Sequence, residues 1–306
     1  MQFQTVAILG AGAIGGYFVW GLSERLGENL WVVAEGERAE RLRRDGLTIN
    51  GQRYALHVRT PAEARGADLL LVATKYGALR GALDAVRTVA DDHTTVMSLL
   101  NGVDSEEILS TVLPRRQLLY ALMKIASERR GNDIRFDGPS TYGLAYGEPD
   151  TPEVTPRMQA VETLLQGTSL HYHPVPDILQ QIWWKYAINC SRNQPQAILN
   201  VGVGAYLDSE HVAALATGLW NEVVAVAAAK GVDISMFPQG AGTPAAKRAR
   251  YSTLQDLDAH RTTEVEMFGG AMMRLGAELG IAVPYSTFAY HAIKALEEKN
   301  SGTFDY

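Results

Sequence analysis

The sequence predicts an α/β protein in two parts: a parallel sheet flanked by helices, then a mainly α-helical region. Three observations support this prediction. The chain opens with an apolar run that breaks into regularly spaced glycines. Short apolar runs suited to buried strands then alternate with helical patterns. From residue 177 onward the strand patterns end and helical periodicity continues, so we place the domain boundary between residues 176 and 177, beside Pro174 and Pro176.

The composition is typical of a soluble globular protein, with 306 residues of which 46% are hydrophobic and 20% charged. A formal net charge of −6 gives no electrostatic reason to expect a nucleic acid or an anionic membrane as partner. The single cysteine, Cys190, excludes an intramolecular disulfide and a cysteine-based zinc site. No apolar run reaches the roughly 18 residues of a membrane-spanning helix, and no signal peptide is recognisable, so we expect a cytoplasmic protein.

The first predicted strand and helix are joined by glycines with G-x-G-x-x-G spacing. The apolar run 6–9 leads into Gly10, Gly12 and Gly15. In a dinucleotide site the first glycine permits a tight turn, the second lets the backbone approach a pyrophosphate, and the third lets the helix pack closely. The pyrophosphate would lie at the helix N-terminus, against Ala13 and Ile14. The alternative is a strand-turn-helix unit without a ligand.

A second strand is predicted at 30–34, and Glu35 follows it. Glu35 lies 20 residues after Gly15, where dinucleotide folds place an acid that binds the adenosine ribose hydroxyls. A carboxylate there repels a 2′-phosphate, which favours NAD(H) over NADP(H). The alternative is a solvated surface glutamate. Four arginines close behind could still bind a phosphate, namely Arg38, Arg41, Arg43 and Arg44.

Two further strands are predicted at 68–74 and 94–100. The first runs into Lys75 and the second into Asn101. Ligands of open α/β sheets bind beyond the carboxyl ends of the strands, so both residues are candidates for the site. A surface lysine and an ordinary Asn-Gly turn are the alternatives.

The last part of the first domain contains short strand patterns between 132 and 147, typical of antiparallel sheet added to the parallel part. A helix is predicted over 155–165 and an edge strand over 169–173. His171 and His173 share one face of that strand. Without acidic or cysteine companions, exposed edge histidines are favoured over a metal pair, and we predict no metal site.

One helix of the second domain carries a polar face. Lys185, Asn189 and Asn193 recur every fourth residue within the apolar segment 182–193. A lysine and two carboxamides beside apolar residues could bind a small polar anion, or they could form a surface stripe. Further along, Ser252 could cap a helix. A long helix is predicted from Thr262 or Thr263 to Leu275.

In this order, the motifs resemble the ketopantoate reductase family, the 2-dehydropantoate 2-reductases, over essentially the whole chain. The segments that carry the resemblance are 8–16, Lys75, Asn101-Gly102-Val103, Lys185-x-x-x-Asn189-x-x-x-Asn193, Ser252-x-x-x-Asp256, Thr263-Glu264 and 280–284. The resemblance implies a Rossmann-like, doubly wound dinucleotide-binding domain over 1–176. It also implies an α-helical substrate and dimerisation domain over 177–306, with the active site in the cleft between them.

The resemblance also implies roles for single residues. Lys185 corresponds to the lysine that polarises and protonates the substrate ketone, and Glu264 to an acid near substrate and cofactor. The residues that correspond to substrate-binding positions are Asn101, Asn189, Asn193 and Ser252. On the cofactor side, the resemblance adds Lys75, Asn101 and Glu264 to the candidates given by the dinucleotide motif, which are Gly10, Gly12, Ala13, Ile14, Gly15 and Glu35. A small 2-keto acid is the implied partner, and a helical second domain offers a surface for a homodimer.

Two departures from the family pattern bear on specificity. Glu35 stands where NADPH-using relatives carry an arginine, so NADH is favoured although NADPH is the family norm. Gln194 separates Asn193 from Pro195. The predicted function is hydride transfer from NAD(P)H to a branched 2-keto acid, 2-dehydropantoate, giving (R)-pantoate for coenzyme A synthesis. The alternatives are a D-mandelate type dehydrogenase, an enzyme of 3-hydroxy acids or sugar nucleotides, and an NAD(H)-sensing regulator without catalysis.

Overall fold

The computed structural model describes residues 2–240 and 247–306. The chain divides after Ile178 into two compact units, two residues beyond the boundary expected from the sequence. The strands of the first unit are β1 (Val6–Leu9), β2 (Leu30–Val33), β3 (Leu47–Ile49), β4 (Gln52–Tyr54), β5 (His57–Arg59), β6 (Leu69–Val72), β7 (Thr95–Ser98), β8 (Tyr120–Lys124), β9 (Ser127–Arg130), β10 (Asp133–Phe136), β11 (Gly143–Gly147) and β12 (Tyr172–Pro174). Its helices are α1 (Ala13–Leu26), α2 (Gly36–Asp45), α3 (Tyr76–Leu79), α4 (Leu83–Val89), α5 (Ser105–Leu109) and α6 (Pro156–Leu165).

The main sheet of the first unit is parallel throughout, with the strand order β5-β2-β1-β6-β7. Alternate residues of β1 point into two different hydrophobic cores. Val6 and Ile8 belong to one cluster, and Ala7 and Leu9 to the other. Burial on both faces explains why these strands are continuous apolar runs. The α/β prediction and the strands expected at 30–34, 68–74 and 94–100 are confirmed.

Two smaller sheets complete the first unit, with the orders β4-β3-β10-β9 and β12-β11-β8. The antiparallel pairing expected between 132 and 147 is present, because β10 pairs with β9 and β11 with β8 in that sense. Each also has a parallel neighbour, β3 for β10 and β12 for β11. The helix expected at 155–165 is α6, where the side chain of Thr155 caps the main-chain N–H of Met158.

The second unit is helical, as predicted. Its described elements are α7 (Ile178–Leu199), α8 (Ala205–Asp208), α9 (Glu210–Ala229), α10 (Ser252–Asp258), a π-helical segment (Glu266–Gly270), α11 (Ala271–Leu279) and α12 (Pro284–Asn300). The long helix expected from Thr262 or Thr263 to Leu275 is wrong at its start. Thr263 is instead held by Glu297, whose carboxylate accepts from its main-chain N–H and its hydroxyl, both at 2.7 Å. The helical segment therefore begins only at Glu266.

One helix corrects the expectation that no stretch is long and apolar enough to span a membrane. Among the described residues, α9 meets that criterion by length and composition. Within α9, however, Glu222 is only 8% exposed. Its carboxylate accepts hydrogen bonds from the main-chain N–H groups of Tyr285 (2.6 Å) and Ser286 (2.8 Å) at the start of α12. We interpret α9 as a core helix of the second unit.

Candidate active site

The glycine turn joins β1 to α1, and two of its glycines are required by the fold itself. Gly10 has a φ of +115°, and a Cβ there would lie 2.5 Å from the main-chain carbon and oxygen of Ala73. A Cβ on Gly15 would lie 2.1 Å from the main-chain oxygen of Gly10. Only glycine permits this backbone conformation and this approach of α1 to β1. The tight turn and the close packing expected at these positions are therefore present.

Gly12 differs, because the fold leaves room for a side chain there. Its φ of −86° and ψ of −162° are open to any residue. The nearest atoms to a Cβ at this position would be Nη1 of Arg129 at 3.8 Å and the main-chain oxygen of Ala73 at 4.0 Å, which is ordinary contact. The fold does not need glycine here, whereas a ligand lying against the main chain would need it.

The N-terminus of α1 suits an anion. Gly12 is its N-cap and offers no side-chain cap, and the first turn has no acidic residue. Ala13 and Ile14 are half-buried, so they remain accessible. The first N–H groups of a helix lack intrahelical partners, and the helix dipole favours negative charge there. Together with the space at Gly12, this arrangement fits the pyrophosphate of a dinucleotide.

Glu35 follows β2 at the same edge of the sheet as the glycine turn, since β1 and β2 are neighbouring parallel strands. It is the N-cap residue of α2, and its exposed side chain makes no capping hydrogen bond. Arg38 and Arg41 lie about one and two turns further along α2 and are exposed. The carboxylate of Glu35 is therefore accessible to a ligand at this edge, and so are two cations.

Lys75 and Asn101 follow β6 and β7, which are also adjacent and parallel. Lys75 is the exposed N-cap residue of α3, and Asn101 is half-buried. A hydrogen bond joins the two turns, because the hydroxyl of Tyr76 donates to Oδ2 of Asp104 at 2.6 Å. Asp104 is 8% exposed and is the N-cap residue of α5. Tyr76 and Asp104 thus hold the Lys75 turn beside the Asn101 turn.

A buried carboxyl lies in α5, the helix that follows the Asn101 turn. Glu106 is 5% exposed, and its Oε2 accepts from the hydroxyl of Ser105 at 2.7 Å. Ser98, at the end of β7, donates to the Ser105 hydroxyl oxygen at 2.8 Å. Burial raises the pKa of Glu106 to about 7, against the opposing effect of the Ser105 hydrogen bond. This polar chain connects the end of the strand to the helix that follows the turn.

In the second unit, α7 carries the predicted polar face. Asn193 is 5% exposed, while Lys185 and Asn189 are half-buried. Their spacing of four residues places them one above another along the helix. The neighbouring Tyr186 and Ala187 are fully buried. A lysine and two carboxamides therefore line a partly desolvated face, not a fully solvated stripe.

The segment after Glu264 is tied to α7 by a hydroxyl. Tyr186 donates to the main-chain oxygens of Met267 (3.1 Å) and Phe268 (2.8 Å), both in the π-helical segment. Gly269 packs so closely that a Cβ would lie 2.9 Å from Oε1 of Gln194 on α7. Glu264 is half-buried in the turn just before this segment. The helix that carries Lys185 thus holds the segment that follows Glu264.

Ser252 is also held through α7. Gln196 is fully buried, and its Nε2 donates to the main-chain oxygen of Ala249 at 3.1 Å. Its Oε1 accepts from the main-chain N–H of Tyr251 at 2.6 Å. Capping, the alternative to a ligand contact for Ser252, does not occur, because Tyr251 is the N-cap residue and Ser252 is the first, exposed residue of α10. The Ser252 hydroxyl is thereby accessible to a ligand.

The departure at Gln194 has a structural explanation. Gln194 is fully buried, and its Nε2 donates to the main-chain oxygen of Cys190 at 3.1 Å. Pro195 cannot donate to the preceding turn, yet α7 continues to Leu199. The side chain of Gln194 thus bonds within its own helix and does not lie on the Lys185 face.

The remaining sequence candidates have structural roles. The ring nitrogens Nδ1 of His171 and Nε2 of His173 bond the main-chain oxygens of Thr141 (2.6 Å) and Tyr142 (3.1 Å). Within residues 2–240 and 247–306, no group of three or more His, Cys, Asp or Glu side chains could hold a metal ion. Cys190 is buried, and burial raises its thiol pKa well above the usual value.

The candidates form two sets. In the first unit the glycine turn, Glu35, Lys75 and Asn101 lie at the carboxyl edge of one sheet, as ligand sites of such sheets do. In the second unit, side chains of α7 hold the segments that contain or follow Ser252 and Glu264. The residues that hold these sets, Tyr76, Asp104, Tyr186 and Gln196, were not predicted, since their partners are distant in sequence or are main-chain atoms. The first set suits a dinucleotide, and the second offers an ammonium and several hydrogen-bond donors to a small anion.

Comparisons with known proteins agree with this architecture. The family model for ketopantoate reductase PanE/ApbA matches residues 6–148, and the model for its C-terminal part matches residues 177–297. A 2-dehydropantoate 2-reductase of Archaeoglobus fulgidus is 30% identical over 305 residues, which is 97% of this chain and 99% of the relative. One of Streptococcus pyogenes serotype M3 is 26% identical over 304 residues, or 96% and 98%. The structure of D-mandelate dehydrogenase with NADH and anilino(oxo)acetate has a TM-score of 0.83 at 22% identity and covers 97% of this chain and 99% of its own. With both family models matched over most of its length, the chain belongs to the ketopantoate reductase family.

Proposed function

We propose that this protein reduces the ketone of a branched 2-keto acid, 2-dehydropantoate, to the corresponding (R)-2-hydroxy acid, pantoate. A nicotinamide dinucleotide bound at the glycine turn supplies the hydride. Membership of the ketopantoate reductase family and the 2-dehydropantoate 2-reductases among the relatives support this proposal. The observation that carries it in the structure is the half-buried α7 face, which aligns Lys185, Asn189 and Asn193.

Lys185 is the proposed general acid. When the ketone carbon is reduced, negative charge develops on its oxygen. An ammonium group beside that oxygen stabilises the charge and donates the proton that completes the hydroxyl. The partial burial of Lys185 strengthens this effect, because fewer water molecules screen the charge.

The carboxamides of Asn189 and Asn193 and the hydroxyl of Ser252 are the proposed donors to the substrate carboxylate and hydroxyl. Each can donate a hydrogen bond, and a carboxylate oxygen accepts several. Asn101 is a further proposed substrate contact, from the first unit. Glu264 is proposed to orient Lys185 or the bound substrate through its carboxylate, which suits its place next to the segment that Tyr186 holds.

We propose that the glycine turn, with Ala13 and Ile14, binds the pyrophosphate of the cofactor. Glu35 is proposed to bind the adenosine ribose. The remaining parts of the cofactor are assigned to Lys75, Asn101 and Glu264. A carboxylate accepts hydrogen bonds from the ribose hydroxyls and repels a 2′-phosphate. On this ground we propose a preference for NADH. We also propose a homodimer and a cytoplasmic location. Sedimentation of the purified protein tests whether it is a homodimer.

Steady-state rates with three 2-keto acids test the function. 2-Dehydropantoate, benzoylformate and 2-ketoisovalerate are each assayed with NADH and with NADPH. The highest kcat/KM is expected for 2-dehydropantoate. A preference for benzoylformate would instead support a D-mandelate type dehydrogenase. Cofactor binding without turnover of any 2-keto acid would support an NAD(H) sensor.

The Lys185→Ala variant tests the mechanism. We expect kcat to fall by about 10²- to 10⁴-fold, the usual contribution of a general acid, with the cofactor dissociation constant unchanged. Lys230→Ala is a matched control, because Lys230 lies at the end of α9 with its ammonium 3.8 Å from Glu278. Normal turnover by Lys185→Ala would remove this residue from the mechanism.

A further inference from the structure

An arginine outside the nucleotide motif contacts the glycine turn. Arg129, on β9, donates through Nη1 to the main-chain oxygen of Ala11 at 2.8 Å and through Nε to that of Gly131, also at 2.8 Å. Ala11 lies between Gly10 and Gly12. The two hydrogen bonds fix the guanidinium against the turn, 118 residues along the chain from the motif.

The guanidinium borders the space that Gly12 leaves open. A Cβ at Gly12 would lie 3.8 Å from Nη1 of Arg129. A phosphate lying against the main chain at Gly12 would therefore be within reach of this cation. Arginine binds phosphate through up to five N–H groups in a planar fork, and two of those on Arg129 already hold it in place.

Two further arginines add positive charge near Arg129. Burial lowers the pKa of Arg129, and repulsion by Arg38 and Arg41 on α2 lowers it further. Within the described part of the chain, no carboxylate lies within ion-pair distance of any of these three. Neighbouring arginines are paired, since Arg130 lies 2.7 Å from Glu128 and Arg44 lies 2.7 Å from Asp45. These three arginines thus form no ion pair with the described residues, although Arg41 also interacts electrostatically with Asp45.

We propose that Arg129, with Arg38 and Arg41, forms a phosphate-binding subsite at the glycine turn. This proposal rests on the proposed function in one respect: a nicotinamide dinucleotide must bind at the glycine turn. The phosphate is either the pyrophosphate common to NADH and NADPH or the 2′-phosphate of NADPH alone. In both cases the anion neutralises cations that otherwise repel each other, and Arg129 links the anion to the turn.

Calorimetric titration of the full chain with NADH and with NADPH tests the subsite, since it measures binding without turnover. Arg129→Gln is compared with Arg129→Lys and with the control Arg130→Gln, the paired arginine next to it. Loss of a charge-assisted hydrogen bond is expected to raise the dissociation constant about 10-fold or more. Arg129→Lys keeps the positive charge and should lose less cofactor affinity than Arg129→Gln. Arg130→Gln should bind both cofactors with the affinity of the wild type. Thermal unfolding without ligand checks that each variant is folded.

The two cofactors separate the two sources of phosphate. Equal weakening of NADH and NADPH by Arg129→Gln places the pyrophosphate at Arg129. Weakening of NADPH alone, shared by the double variant Arg38→Gln/Arg41→Gln, places the 2′-phosphate there. The dissociation constant should also depend less on salt in Arg129→Gln than in the wild type, because one ionic contact is gone.

Unchanged affinity for both cofactors in Arg129→Gln would overturn the subsite. Equal losses of cofactor affinity in Arg129→Gln and Arg129→Lys, with unchanged salt dependence of binding, would also overturn it. The latter pattern would show that Arg129 only holds the turn. A wild-type protein that binds neither cofactor would overturn the proposed function as well, so the two failures are distinguishable.

Discussion

Protonation of Glu106 should make the stability of the first unit depend on pH. Its side chain is 5% exposed, and burial raises its pKa to about 7 from the ordinary 4.5. The folded state therefore holds the proton more tightly than the unfolded state does. Stability that is fully present below about pH 4.5 is lost as the pH rises through 7. At about 1.4 kcal/mol for each factor of ten in proton affinity, the loss is about 3 kcal/mol.

Glu106→Gln removes this ionisation and keeps an oxygen that can accept from the Ser105 hydroxyl. We expect the variant and the wild type to be similar in stability at pH 4.5. At pH 8 the variant should be more stable by about 3 kcal/mol. Glu107→Gln, the same change at the adjacent half-buried position, is the control and should give a much smaller gain.

Urea unfolding, followed by pulsed hydrogen exchange of peptides that contain β7, measures the first unit separately from the second. The free energy of unfolding is determined for each variant from pH 4.5 to 8.5. A stability difference between Glu106→Gln and the wild type that is the same at both ends of this range would refute the reasoning. A variant that is less stable than the wild type at pH 8 would also refute it.

The other predictions concern the glycine turn, the π-helical segment and the cofactor. Gly15→Ala should lower the free energy of unfolding by about 2 kcal/mol or more, because the added Cβ would lie 2.1 Å from a main-chain oxygen. Gly12→Ala should leave thermal stability unchanged and weaken NADH binding in a titration. If both variants lost stability equally, the distinction between these glycines would be wrong. Tyr186→Phe should cost about 1 to 3 kcal/mol in urea unfolding, since buried carbonyl oxygens lose their donor, and a neutral result would contradict this. Glu35→Arg should raise the kcat/KM ratio of NADPH to NADH, and an unchanged ratio would refute its proposed ribose contact.

Local sequence was sufficient where one segment carries the whole signal. The β1 strand and the glycine turn lie within ten residues, so strand pattern, spacing and helix start could be recognised together. The α7 face was predictable for the same reason, because a four-residue repeat on one helix needs no knowledge of its neighbours. Short strands such as β3, β4 and β5 were missed. Three residues are too few to show an alternating pattern.

Sequence reasoning failed where distant groups determine the backbone. Thr263 was expected to begin a helix, but Glu297 binds both its main-chain N–H and its hydroxyl, and the chain turns before the π-helical segment begins. Capping of α10 was the alternative role considered for Ser252, but Gln196 holds the main chain one residue earlier. A cap or turn depends on which acceptor the fold brings within hydrogen-bond distance, and local propensity does not contain that information.

By itself, the sequence determined the alternation of strands and helices, the position of the glycine turn and the chemical groups on α7. These depend on periodicity and backbone freedom, which are properties of neighbouring residues. Only the tertiary structure decided that Gly15 is required by packing whereas Gly12 leaves room for a ligand. It alone brought Arg129 to the turn, because that placement depends on a contact between segments 118 residues apart, and it alone showed that Glu106 is buried.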